Sequence, residues 1–148
     1  MLTALLSTGN VWTLTLLRIA LGVVIFPHGA QKALGWFGGY GIKPTMGFLT
    51  QNVGLPSPIA ALVIAAEFLG SLGLIFGAFG RVAAFGVLAV MIGAVVTSHL
   101  KVGFFMNWGN TPDRGEGYEY HILAIAMAVT VIVSGSGALS LDRLLIGQ

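Results

Sequence analysis

An all-α membrane protein, folded as an antiparallel four-helix transmembrane bundle, is the class that three observations on the sequence predict. Charged residues make up only 8% of the chain and hydrophobic residues 56%. An ordinary soluble domain has about 25% charged residues, so this chain has too little polar surface to face water all round. The apolar residues also gather into four runs close to the roughly 20 residues that cross about 30 Å of hydrocarbon. Finally, each run is apolar on every side, where a half-exposed helix would be so along one stripe. The short alternating strands of a closed barrel, the other backbone arrangement that lipid tolerates, are absent from the sequence.

The runs lie at about 12–35, 58–79, 82–102 and 118–139, within one domain of 148 residues. No basic start or small-residue cleavage pattern precedes the first run, and the first charged side chain is Arg18, so that run is expected to persist as a helix. Between the first two runs, Gly38-Gly39-Tyr40-Gly41, Lys43-Pro44 and the prolines 56 and 58 break regular structure. Met46 to Gln51 fits a short helix lying at the interface. The turn from Gly77 to Arg81 is so tight that the second and third helices must be antiparallel neighbours. The loop from Phe104 to Gly117 is the most polar stretch, and Ser140 ahead of Asp142 caps a short terminal helix. Small residues recur at helix-packing spacing in Gly73 with Gly77, Ala89 with Gly93, and Ala124 with Ala128.

Composition excludes several functions. A net charge of +2 and no basic run argue against a nucleic-acid partner. With no cysteine, disulfides, thiol redox chemistry and thiolate ligation of zinc or iron–sulfur clusters are excluded in this chain.

The polar side chains are not scattered. If the first helix runs from face X to face Y, then His28 and Lys32, His99 and Lys101, and Glu119 and His121 all fall at Y. All three histidines of the chain are therefore delivered to one face by three different helices. Glu67 sits near the middle of the second run, and Arg18 in the X half of the first. At about 100° per residue, one stripe of the first helix carries Arg18, Gly22, Gly29, Lys32 and His28, with Pro27 bending the helix beside it. Glu119 and His121 are about 200° apart, and Glu119 is the one expected to face inward. A charge in hydrocarbon costs about 2.5–3.5 kcal/mol even on the mild insertion scale, so these groups need partners or water. Arg18 is the expected partner of Glu67. Trp36, Tyr40, Trp108 and Tyr118 form an aromatic belt at Y or wall a flat organic ligand.

Arg18-Ile-Ala-Leu-Gly22, then His28-Gly-Ala-Gln-Lys32 and Gly35, resemble the opening motif of the DoxX family of small bacterial membrane proteins. The resemblance continues through Gly54-Leu-Pro56, Glu67-Phe-Leu-Gly70, Gly80-Arg81, His99 and Gly117-Tyr-Glu119, and ends in Gly135-Ser-Gly-Ala-Leu-Ser-Leu-Asp142. It implies a multi-pass protein of the bacterial inner membrane, similar to the membrane subunit of thiosulfate:quinone oxidoreductase. The polar positions it carries over are Arg18, His28, Lys32, Glu67, His99 and Glu119.

Three readings fit. The first is a subunit of a quinone-linked oxidoreductase in sulfur or related redox metabolism. In it His28, Lys32, Glu67, His99 and Glu119 do the chemistry, and Arg18, Lys101, Trp36 and His121 bind substrate. No haem-attachment or dinucleotide motif accompanies it, so a metal or haem would have to be held by His28, His99 and His121. The second is a small-solute or proton carrier. The third is a non-catalytic assembly subunit, working as a homo-oligomer or with other membrane subunits.

Overall fold

The apolar runs are helical in the computed structural model, which describes residues 2–147, and no strand occurs among those residues. Seven α-helices form among the described residues: α1 (Leu2–Leu6), α2 (Trp12–Leu34), α3 (Ile42–Gly47), α4 (Ser57–Phe76), α5 (Gly80–Ala94), α6 (Glu119–Ser134) and α7 (Leu141–Leu145). Wider π-helical turns extend α3 through Phe48–Asn52 and α5 through Val95–His99. The helix ends follow local chemistry. Gly35 and Gly77 close α2 and α4 at φ of 75° and 65°, a left-handed conformation that glycine enters without a Cβ penalty. Pro58 sits in the first turn of α4, where a missing N–H breaks no helical bond. Pro27 lies inside α2, which continues past it to Leu34.

Among the described residues, three helices are long and apolar enough to cross a membrane: Trp12–Leu34, Ser57–Phe76 and Gly80–His99. The fourth expected run is shorter as a helix than as an apolar stretch. Tyr118 stays outside α6, and Gly135, at φ 87°, ends it before Leu139. Its 16 residues give a helix about 24 Å long at roughly 1.5 Å per residue.

Helix α2 packs on α4, α4 on α5, α5 on α6, and α6 back on α2. Neighbours run antiparallel. Gly22 lies against Ser71 and Ile75, whereas Gly29, further along α2, lies against Glu67 and Phe68. Arg81 near the start of α5 reaches the carbonyls of Ile132 and Val133 at the end of α6. His99, at the other end of α5, meets His121. The core between the helices contains Leu21, Ile25, Leu74, Val87, Ala128 and Val131.

Small residues set the separation of α2 and α4. A Cβ at Gly29 would stand 2.7 Å from the Glu67 backbone, and one at Gly22 would stand 2.9 Å from that of Ser71. Gly29→Ala is expected to push α2 off α4 and to cost about 1–3 kcal/mol through overpacking. Thermal unfolding in detergent checks it, and a variant as stable as the parent would sink this packing account. Ala124 and Ala128 are buried as expected. Ala89 and Gly93 are not at a helix contact: both are exposed, and nothing lies within 4 Å of a Cβ at Gly93. They border a cavity.

At face X the chain closes on two buried charges. Arg18 is 1% exposed. Its guanidinium donates to the carbonyls of Ser136 (2.6 Å) and Ile75 (2.8 Å), and to those of Leu74 and Leu139. The expected Arg18–Glu67 pair does not form. The antiparallel register sets Glu67 level with Gly29, 11 residues and so about 16 Å along α2 from Arg18. Asp142, equally buried, accepts from the N–H groups of Phe79 (2.6 Å) and Gly80 (2.8 Å) and from the Ser136 hydroxyl (2.6 Å). It thereby caps α5 from the far end of the chain, where the helix dipole favours an anion. The Ser140 hydroxyl accepts from the Arg143 N–H at 3.3 Å, as its spacing predicts.

Candidate functional site

Glu67 projects from α4 where α2 comes closest, because Gly29 leaves no side chain between them. One turn further along α2, Lys32 reaches it: Nζ stands 2.6 Å from Oε2 and donates a hydrogen bond. This is the one ion pair among the described residues. The Glu67 side chain is 5% exposed and that of Lys32 29%. The pair thus resolves the solvation penalty of a carboxylate in an apolar wall by supplying a counter-ion from a helix C-terminus, where a cation is also favoured.

Beside the pair lies a cavity of about 620 Å³ between α4, α5 and the π-turn that follows α3. Its walls are apolar, among them Phe48, Ile59, Leu62, Val82 and Phe85, and its polar groups are Lys32, Glu67, Thr97, Ser98 and His99. Several wall residues, including Leu62 and Phe85, are exposed on the outside of the helix pair. The cavity therefore opens sideways. Both π-helical turns contribute to its lining, Phe48 and Leu49 from one and Thr97 to His99 from the other, in keeping with the frequent placement of such turns at functional sites.

His99 does two things. It lines the cavity, and its Nδ1 is 2.8 Å from the Glu116 carbonyl. A carbonyl only accepts, so Nδ1 carries the proton and Nε2 is left as the basic nitrogen. Its ring lies 4.2 Å from that of His121, centroid to centroid. His121 is 7% exposed and stands edge-on to Tyr120 at 5.5 Å. The His28 ring is 6.5 Å from that of Tyr120 and within electrostatic reach of Lys32 and Glu67. Four helices thus bring His28, Lys32, Glu67, His99 and His121 into one neighbourhood; the common face predicts this for all but Glu67, which the sequence sets near the middle of its run, and the structure adds Tyr120. Tyr120 is not among the sequence candidates, since an uncharged tyrosine within an apolar run carries nothing in the sequence to mark it.

Other candidates stand elsewhere. The Glu119 carboxylate accepts from the Met106 N–H and from Trp108 Nε1, both at 2.9 Å, and so holds the Phe104–Gly117 loop. Facing inward falls to His121 instead, since the first turn of α6 aims one of the two at the loop. Lys101 and Trp36 are exposed and do not border the cavity. Trp36, Tyr40 and Trp108 are all exposed, joined there by Phe37, Phe104 and Phe105. Arg18 is bound to carbonyls at face X. His28, His99 and His121 do not converge as a set of metal ligands: His28 turns to Tyr120, and no group of three His, Cys, Asp or Glu side chains among the described residues could hold a metal ion.

Comparison with known proteins bears on these same helices. The family model described as DoxX matches residues 13–100, the span that supplies Lys32, Glu67 and His99. The chain is also 31% identical, over 127 residues, to the Bacillus subtilis (strain 168) protein named "Putative oxidoreductase CatD". That alignment covers 86% of this chain and 82% of the relative. No solved structure matches significantly. Three membrane-length helices, the Lys32–Glu67 pair on two of them and the family match across all three agree: this membrane protein belongs to the DoxX family.

Proposed function

We propose that this protein is the membrane subunit of a quinone-linked oxidoreductase, and that its quinone site is the cavity bounded by Lys32, Glu67 and His99. One observation carries the reading: the one ion pair among the described residues stands at the wall of a sideways-opening apolar cavity. A quinone matches both parts, with two ring oxygens for the polar groups and an apolar body for the walls. The name of the Bacillus subtilis relative points the same way.

The chemistry follows from the donors. Reduction of a quinone takes up two electrons and two protons, and oxidation of the quinol releases them. The Lys32 ammonium donates to a ring oxygen and offsets the negative charge that develops there on electron arrival. Glu67, already paired with Lys32, exchanges a proton with that oxygen. His99, with Nδ1–H committed to Glu116, offers Nε2 as a general base toward a quinol hydroxyl. Electrons come from or pass to a redox partner, such as a reduced sulfur anion or another membrane subunit. In this reading α6 makes a fourth crossing, shorter than the others, the membrane is the bacterial inner membrane, and the exposed aromatic rim at face Y receives the partner or a second copy of the chain.

Binding of decylubiquinone to the purified protein in detergent tests it. Lys32→Met and His99→Ala are each expected to weaken binding about tenfold or more, the scale of a lost hydrogen bond to a charged or directional group. Gly93→Phe, whose side chain enters open space at the cavity wall, should abolish binding without unfolding the protein. Parental affinity in all three variants removes the quinone from this cavity.

A further inference from the structure

Two buried polar atoms behind the cavity have no partner: the Tyr120 hydroxyl and Nδ1 of His121. A buried polar group without a hydrogen bond costs about 1–3 kcal/mol, and native proteins satisfy nearly all such groups with protein or ordered water. Here two of them sit on adjacent residues of α6, next to the His121–His99 ring pair. Neither residue borders the cavity, so a cavity ligand does not satisfy them. Tyr120 is within electrostatic reach of Glu67, and His121 of both His28 and His99. At the outer end, Nδ1 of His99 meets the Glu116 carbonyl in the exposed loop. The polar groups therefore form a line from the buried carboxylate to face Y.

We infer that Tyr120, His121 and His99, bridged by buried water, form a proton path between Glu67 and the loop at face Y. Water bound between the Tyr120 hydroxyl and His121 satisfies both orphan atoms, since each can share a hydrogen bond with the same molecule. An excess proton on Glu67 passes to that water. His121 takes a proton at Nδ1 and releases the one on Nε2, leaving the ring neutral as before. His99 accepts at Nε2 and gives up its Nδ1 proton beside Glu116, so each ring ends in the other tautomer and one proton has moved outward. Rotation of the rings resets the line. The charged and titratable groups that reach His121 are His99 from the π-turn that extends α5 and His28 from α2, with Lys32 and Glu67 beyond His28, while Glu119 on its own helix turns away to the loop. The path explains how a carboxylate walled in by helices exchanges protons during quinone turnover; in that respect alone it rests on the function proposed above.

The test needs no quinone. In the full-length protein in lipid nanodiscs, the carboxyl infrared band of Glu67 is identified by its absence in Glu67→Gln, and its protonation is followed after a rapid pH jump. His121→Phe and Tyr120→Phe are expected to slow that protonation about tenfold or more, a conservative share of the roughly 10²–10⁴-fold that positioned proton transfer contributes. The band position should not move, because the Lys32–Glu67 pair is intact. His121→Asn, which keeps a polar group for the water, covers the case in which the phenylalanine variant fails to fold, and should be slowed less. Unchanged protonation rates in His121→Asn and Tyr120→Phe overturn the path, as does an experimental structure with no water between Tyr120 and His121. Failure of quinone binding with slowed protonation would overturn the quinone site and leave the path standing.

Discussion

Arg18→Ala will lower the stability of the protein by about 3–5 kcal/mol, the range for removing one member of a buried charged network. The guanidinium holds the carbonyls of Leu74 and Ile75 at the end of α4 together with those of Ser136 and Leu139 in the C-terminal segment. No other side chain among the described residues bonds all four. Alanine leaves those acceptors without donors, opens a cavity the size of an arginine side chain, and strips Asp142 of the positive charge in its electrostatic reach. Arg18→Lys will recover less than half, because an ammonium carries three donors on one atom and cannot span carbonyls from two segments. Adding Asp142→Asn to Arg18→Ala will cost less than the sum of the two single changes, since the second change removes the charge that the first left uncompensated. Unfolding midpoints in detergent read all four variants. A loss below about 1 kcal/mol, the value of an ordinary surface contact, would falsify the account of Arg18 as the clasp between α4 and the C-terminal segment.

At the opposite end of α2, the single changes will hurt more than the double. Glu67→Ala leaves the Lys32 ammonium beside an apolar cavity with no counter-ion, and Lys32→Met leaves a carboxylate in the same place. A pair removed together leaves neither charge behind, so Lys32→Met with Glu67→Ala will be more stable than Glu67→Ala alone. The coupling energy is expected to lie in the range of about 0.5–3 kcal/mol seen for side chains in contact. Ligand binding will separate structure from function. The double variant should regain stability and still fail to bind decylubiquinone. If it binds as well as the parent, the ion pair is a helix clamp and the cavity takes its ligand without it. If the stabilities are simply additive, Lys32 and Glu67 do not interact in the membrane.

Much of the fold is legible in the sequence, for reasons that particular elements show. Helices α2, α4 and α5, the last counted with its π-helical turn to His99, begin and end within a few residues of their apolar runs, because lipid forces the backbone into helices and glycine releases it at Gly35 and Gly77. Counting crossings assigns the histidines to one end, and the structure brings them together there. Depth along a helix is a property of spacing, and spacing is written in the chain.

Partnership is not. Charge and depth alone match Arg18 with Glu67, yet the offset between α2 and α4 is decided by where Gly22 and Gly29 let the backbones touch. That offset gives Glu67 to Lys32 and leaves Arg18 to carbonyls. Likewise Glu119 and His121 exchange expected roles because the loop, not the helix, supplies N–H groups for the carboxylate. Ala89 and Gly93 read as a contact surface but border a cavity, since small side chains permit either close approach or empty space.

The sequence alone thus determined that the chain is a helical membrane protein, where its three membrane-length helices lie and which end collects its polar groups, because solvation and backbone geometry act residue by residue. Only the tertiary structure decided which charges meet, where the cavity opens and which polar atoms go without partners. Those depend on rotations and offsets between helices of about one turn, roughly 5 Å, which no single helix encodes by itself.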